Sequence, residues 1–161
     1  MASYNNPADV GTFQIFAQAH DFEPYHINTG DLNNDGRPDL VVSDDGMDRY
    51  RYNLDTDELG RVVWGPAMTY TYLAEPDNGF NSNNLIVDLD GDGWSDVLVC
   101  DVDVDEASSS RLRVYHNPGG AVGEQINLIE ERESADDSGW KGVVGMLHTD
   151  MTFAHDVAVF D

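Results

Sequence analysis

Two short apolar runs, Leu40-Val41-Val42-Ser43 and Val97-Leu98-Val99-Cys100, are rich in β-branched residues and end in aspartates. Uninterrupted runs of this length, bounded by turn residues, predict strands buried on both faces. Each is preceded by a segment with apolar positions, Tyr25 to Gly30 and Asn84 to Val87, and followed by an alternating one, Tyr50 to Asn53 and Val114 to Asn117. Val62 through Tyr72 and Ala121 through Ile129 then predict longer outer strands. One unit is thus four strands, A to D, with a polar loop between A and B. Glu75 to Asn84 reads as a D-to-A connection and Asp101 to Ser110 as a solvated B-to-C loop, both from their turn-forming composition.

The units repeat. Asp31 and Asp88 open equivalent loops 57 residues apart, and a third unit begins near Gly142, with Val143 to Leu147 as its strand A and Val157 to Phe160 as its strand B. At the other end, Gly11 to Gln18 alternates as an outer strand, and Asp21 to Pro24 turns it toward the first strand A. The expected organisation is an outer strand of a preceding unit over 1–24, full units over 25–83 and 84–141, and the first hairpin of a third over 142–161. A repeat of this length with four strands per unit predicts an all-β fold of antiparallel propeller blades. Fewer than three units cannot close a ring of about four to eight blades. The remainder is expected either from a longer polypeptide or from copies or partner chains, because an isolated piece would leave an unpaired strand edge.

The A-to-B loops carry the chemistry. Asp31-Leu-Asn33-Asn-Asp35-Gly36-Arg37-Pro-Asp39 and Asp88-Leu-Asp90-Gly-Asp92-Gly93-Trp94-Ser-Asp96 place oxygen donors at positions 1, 3, 5 and 9 and glycine at position 6. A hard cation such as Ca²⁺ takes about six to eight oxygens at roughly 2.3 to 2.6 Å, and a tight loop can converge alternate side chains on one point. The side chains of Asp31, Asn33, Asp35 and Asp39, and of Asp88, Asp90, Asp92 and Asp96, are the expected ligands. The backbone carbonyls of Arg37 and Trp94 complete the two sets. An EF-hand needs glutamate at position 12 and a following helix. Val42 and Val99 stand there, each inside a strand-like run, which excludes the EF-hand and argues equally against the helix-flanked dockerin loop.

In the third unit the equivalent positions hold His148, Asp150, Thr152, Phe153 and Asp156, with Phe153 in place of the glycine. That loop is expected to be a metal-free turn. A degenerate calcium site, or a transition-metal site on His148, Asp150, His155 and Asp156, is the alternative there.

Taken together, Gly11-Thr-Phe13, Thr29 through Val42, Val87 through Val99 and Tyr115-His-Asn117-Pro-Gly119 resemble the FG-GAP or VCBS repeat family, the blades of integrin alpha-subunit propellers and of many bacterial secreted proteins. The resemblance spans nearly the whole chain. It implies a propeller of which this chain holds less than three blades, structural Ca²⁺ on the ten residues just named, and an extracellular or cell-surface setting.

Composition constrains partners more than fold. The net charge of −23, from 31 acidic and 8 basic residues, repels nucleic acid and anionic membrane surfaces. No run approaches the roughly 20 apolar residues of a membrane-spanning helix, and Met1 to Val10 does not resemble a signal peptide. Cys100 is the single cysteine, so no internal disulfide forms, and its place at the end of an apolar strand predicts a buried thiol.

The expected role is non-catalytic binding of a protein or carbohydrate ligand, or adhesion, through loops on a calcium-pinned scaffold. Tyr50, Tyr52, Tyr70, Tyr72 and Trp94 include candidate contact residues, although aromatics at alternate strand positions are expected mainly to pack. The rival roles are a structural subunit of a larger surface assembly and a polysaccharide-acting enzyme. No nucleophile or zinc motif supports the latter, and the histidines are scattered. Because the loops lie on separate units, each is expected to bind its ion independently.

Overall fold

A computed structural model describes residues 24–44, 47–71, 80–102 and 111–130. The strands are β1 (Pro24–Gly30), β2 (Asp39–Asp44), β3 (Arg49–Arg51), β4 (Asn53–Thr56), β5 (Val62–Trp64), β6 (Met68–Thr69), β7 (Phe80–Val87), β8 (Asp96–Val102), β9 (Arg111–His116) and β10 (Ile129–Glu130). Two four-stranded antiparallel sheets run in the orders β1-β2-β3-β6 and β7-β8-β9-β10, and β4-β5 forms a separate two-stranded ribbon. The described residues are all-β, their sheets are successive propeller-type blades, and no closed barrel forms among them. The expected outer strand over 11–18 and the third unit over 142–161 lie outside those residues.

The two A–B hairpins close in the same register. Gly30 faces Asp39 and Val87 faces Asp96, so both nine-residue loops leave and re-enter their sheets at equivalent ladder positions. The runs after the loops form the buried strands expected of them: β2 is buried throughout, and Asp96 to Cys100 of β8 likewise. Burial on both faces follows from packing sheet on sheet. Val41, Tyr50, Tyr52 and Tyr70 from the first unit meet Val97, Val99, Tyr115 and Leu128 from the second in one core that also encloses Leu32.

Close approach of β1 to β7 needs a missing side chain. A Cβ at Gly30 would lie 2.7 Å from Ile86 Cγ2, so glycine sets how near the inner strands come. Asn28 Nδ2 donates to Asn84 O (3.0 Å) and Asn84 Nδ2 to Ser43 Oγ (2.8 Å) across the same seam.

The outer strands depart from expectation. Val62 to Tyr72 is not one strand: β5 pairs with β4 in the ribbon, while β6 pairs with β3. The cause is Asn53, whose backbone N–H is drawn to Asp39 Oδ1 (2.8 Å), so the third strand of this sheet stops at Arg51 and the chain starts a new ribbon. Among the described residues of the second unit, Ile129 and Glu130 alone form the outer strand, and β7 starts at Phe80, inside the segment expected to be a connection.

Residues 121–128 instead cross over the first unit. There Tyr50 Oη and Tyr52 Oη both donate to Ile126 O (3.0 and 2.9 Å) while accepting from Leu128 N and Ile126 N (both 3.1 Å). Thr71 N donates to Leu128 O and Glu130 N to Thr71 O (both 2.8 Å), a short parallel bridge joining the outer edges of the two units. Tyr50, Tyr52 and Tyr70 are at most 3% exposed and serve as core. They do not serve as ligand platforms. Tyr72 lies outside the described residues.

Candidate metal centre

Both loops fold around their first carboxylate. Asp31 Oδ2 accepts from Gly36 N (2.8 Å) and Asp88 Oδ2 from Gly93 N (2.9 Å), so position 1 turns the chain back at position 6. The turn requires the left-handed region, and Gly36 (φ 82°) and Gly93 (φ 92°) occupy it, as expected for glycine at that place. Position 5 then accepts from position 7: Asp35 Oδ1 from Arg37 N (2.9 Å) and Asp92 Oδ1 from Trp94 N (2.8 Å). Short carboxylates bonding the backbone a few residues on is what favours aspartate in such turns.

Position 9 ties each loop to its blade. Asp39 accepts from Leu32 N through Oδ2 (2.8 Å) and from Asn53 N through Oδ1 (2.8 Å). Asp96 repeats this with Leu89 N (3.0 Å) and Asn117 N (2.8 Å). The side chains of the two asparagines return the bond, to Pro38 O (3.3 Å) and Ser95 O (2.9 Å). Asn53 and Asn117 are thus supports of the site that the loop motif does not include. Their signal in the sequence is the asparagine closing the third strand-like segment of both units.

The donors of the second loop converge. One carboxylate oxygen each from Asp88, Asp90 and Asp96 lie within 4.8 Å of one another. Two oxygens on one Ca²⁺ at roughly 2.4 Å can be no more than about 4.8 Å apart, so the spacing fits a shared hard cation. Asp92 groups with Asp90 and with a residue outside the motif, His116. The His116 Nδ1 lies 3.7 Å from Asp90 Oδ2 and 3.2 Å from Asp96 Oδ1, without a hydrogen bond to either. Strand β9 brings it there; on sequence alone it is one scattered histidine.

The first loop holds its donors differently. The Arg37 guanidinium pairs with Asp35 Oδ2 (2.6 Å) and donates from Nε to Asn53 O (2.9 Å), so Arg37 acts through its side chain as well as its place in the turn. Asn33, the position-3 donor, is 1% exposed, and its Oδ1 has no hydrogen-bond partner. A buried amide oxygen left unpaired costs about 1 to 3 kcal/mol. An oxygen-seeking cation in the loop would satisfy it. The donors of both loops are oxygens of the kind such an ion takes, but among the described residues only the second loop gathers its carboxylates within 4.8 Å of one another; Asp31, Asp35 and Asp39 of the first do not form such a cluster.

Electrostatics points the same way. Burial pushes the Asp39 carboxyl up to about 6, against the bonds from Asn53 and Leu32 that favour its charged form, and Asp35 and Asp31 add repulsion. Asp96 is raised by burial too, with Asp90 adding repulsion and the Asn117 and Leu89 bonds and His116 opposing. Two fully buried carboxylates held beside further acids are the arrangement that a divalent charge relieves.

Trp94, the other carbonyl donor expected from the sequence, is half-buried, and Gly119 rests on its ring: a Cβ there would come within 2.6 Å of Trp94 Nε1. The degenerate third loop at His148, Asp150, Thr152, Phe153 and Asp156 lies outside the described residues. Compared with protein-family models, with curated proteins and with solved structures, the chain matches none.

Proposed function

We propose that this chain is a calcium-binding, non-catalytic module of an FG-GAP/VCBS-like propeller, serving ligand binding or adhesion in an extracellular or cell-surface protein. The observation that supports it most is Asn33 Oδ1, a donor at the expected position, fully buried and lacking a partner inside an otherwise well-bonded loop. Ca²⁺ in each loop fixes an A–B hairpin by joining its two ends. Its role is structural. The ring is completed by the rest of the propeller or by partner chains, and the protein or carbohydrate ligand meets loops, since three of the candidate tyrosines are core.

Calorimetric titration of the chelator-stripped chain with CaCl₂ tests the metal. Two ions per chain are expected, with Kd on the order of 10⁻⁴ to 10⁻³ M as in extracellular modules. At a hundredfold excess over Kd an ion stabilises by about 2.7 kcal/mol, so Ca²⁺ raises the melting temperature and EGTA reverses the gain. No heat of binding and an unchanged melt would remove the metal reading. Binding on glycan or protein arrays tests the module's role, and turnover of a polysaccharide would make it an enzyme instead.

A further inference from the structure

The two loops touch. Asn34, at position 4 of the first loop, donates from Nδ2 to Gly93 O of the second (2.9 Å). Its backbone is left-handed (φ 56°), which places its amide across the gap between the blades. Asn117 makes a second bridge. Its N–H donates to Asp96 Oδ1 of the second loop, while its Nδ2 donates to Leu32 O of the first (2.7 Å) as well as to Ser95 O. Leu32 N in turn donates to Asp39 Oδ2. The two position-9 carboxylates are therefore joined through only Asn117 and Leu32, all four residues being fully buried. Finally the chain after Asn117 passes over Trp94 at Gly119 and reaches the first loop at Gly123, whose N–H donates to Asn33 O (2.9 Å).

We propose that the two loops load Ca²⁺ with positive cooperativity, coupled through Asn34, Asn117 and the 117–123 strap. The inference rests on the calcium reading above and adds to it a regulation of the same sites. An ion in the second loop holds Asp96 and with it Asn117, which fixes Leu32 O and, through Leu32 N, the orientation of Asp39. The strap at the same time holds the backbone of Asn33, so the first loop meets its ion with ligands already ordered. Linkage makes the effect reciprocal. Coulomb forces alone give the opposite sign, because one bound divalent ion repels the next. The sign of the coupling thus separates the bridge from simple charge.

The test is calcium titration of the stripped full chain by calorimetry, with the loop amides followed by NMR to tell the sites apart. The wild type should fill both loops with a Hill coefficient above one. Asp92→Ala, which disables the second loop, should weaken the first by roughly 5- to 150-fold, the usual range of a coupling between sites. Coulomb forces predict tighter binding there, since the disabled loop is one charge more negative than the ion-loaded one. Asn34→Gly touches no ligand and installs the residue that the second loop already carries at position 4, Gly91. It should leave two ions bound and lower the Hill coefficient.

Two independent or anticooperative sites in the wild type would overturn the coupling while leaving the calcium reading intact. A Hill coefficient unmoved by Asn34→Gly would overturn the bridge, and that variant decides the matter even where Asp92→Ala does not fold. Absence of any binding would instead sink the calcium reading itself.

Discussion

Asp39 shows how burial and charge conflict at a single residue. It is buried, accepts two backbone bonds and still has its pKa lifted to about 6, because burial outweighs those bonds. In the metal-free protein the folded state then holds its proton more tightly than the unfolded chain, whose value is near 3.8. Between those values the native state binds more protons, so stability falls as pH rises through the window and the full penalty stands above pH 6. Asp96, also raised, acts in the same direction. The stripped protein should melt at a higher temperature at pH 5 than at pH 7, as read by calorimetry in calcium-free buffer. With Ca²⁺ present the order should reverse, since protons compete with the ion for the same carboxylates. A stripped protein that gains stability from pH 5 to 7 would contradict the buried, unrelieved charge assigned to Asp39.

Among the elements, the A–B hairpins were the most legible in the sequence and the outer strands the least. Leu40 to Ser43 and Val97 to Cys100 are local signals, sufficient by themselves to demand burial, and the aspartate loops fix where each hairpin turns. Among the described residues the outer strands span two residues each and take their places from distant partners. No periodicity in Ala121 to Leu128 announces that this stretch is held by two phenols of the previous blade. Tyr50 and Tyr52 read correctly as packing residues because they alternate onto one face, but the alternation continues through Asn53, and the break there is visible only once Asp39 is seen to capture its amide. His116 and Asn117 were missed as parts of the site for the same reason: they reach the second loop by pairing of β9 with β8, not by spacing along the chain.

The tyrosine clamp is testable as an element. Burial pushes the Tyr50 phenol up to about 12 and the Tyr52 phenol higher still, so both remain protonated donors at neutral pH. Tyr52→Phe deletes the acceptor of Ile126 N without changing the ring stack, in which Tyr50 and Tyr52 pack edge to face at 5.8 Å. Leaving that buried N–H unpaired should cost about 1 to 3 kcal/mol in urea unfolding. A loss near zero would mean that residues 126–128 are not held against the first blade by this bond.

On the scale of the whole molecule, a chain of net charge −23 opposes its own compaction, and the stabilisation by Ca²⁺ proposed for it has two competing explanations. Diffuse screening acts on all 31 acids, whereas loop binding acts on eight ligand side chains, seven of them carboxylates. The two respond differently to salt. The Debye length is about 10 Å at 0.1 M and about 3 Å at 1 M, so KCl should raise the melting temperature of the stripped protein by relieving long-range repulsion. It should not replace an ion that bonds Asn33 Oδ1 and gathers Asp88, Asp90 and Asp96, because K⁺ screening leaves those oxygens where they are. A gap in melting temperature between Ca²⁺-loaded and stripped protein should therefore persist at 1 M KCl. Mg²⁺, which prefers near-octahedral geometry at about 2.0 to 2.1 Å and keeps its waters, should close only part of it. If 1 M KCl or equimolar Mg²⁺ closes the gap entirely, calcium is acting as a counterion cloud and the loops are acidic turns. If the gap survives both, the stabilising charge sits at defined points in the A–B hairpins, where the face-to-face packing of the two blades begins.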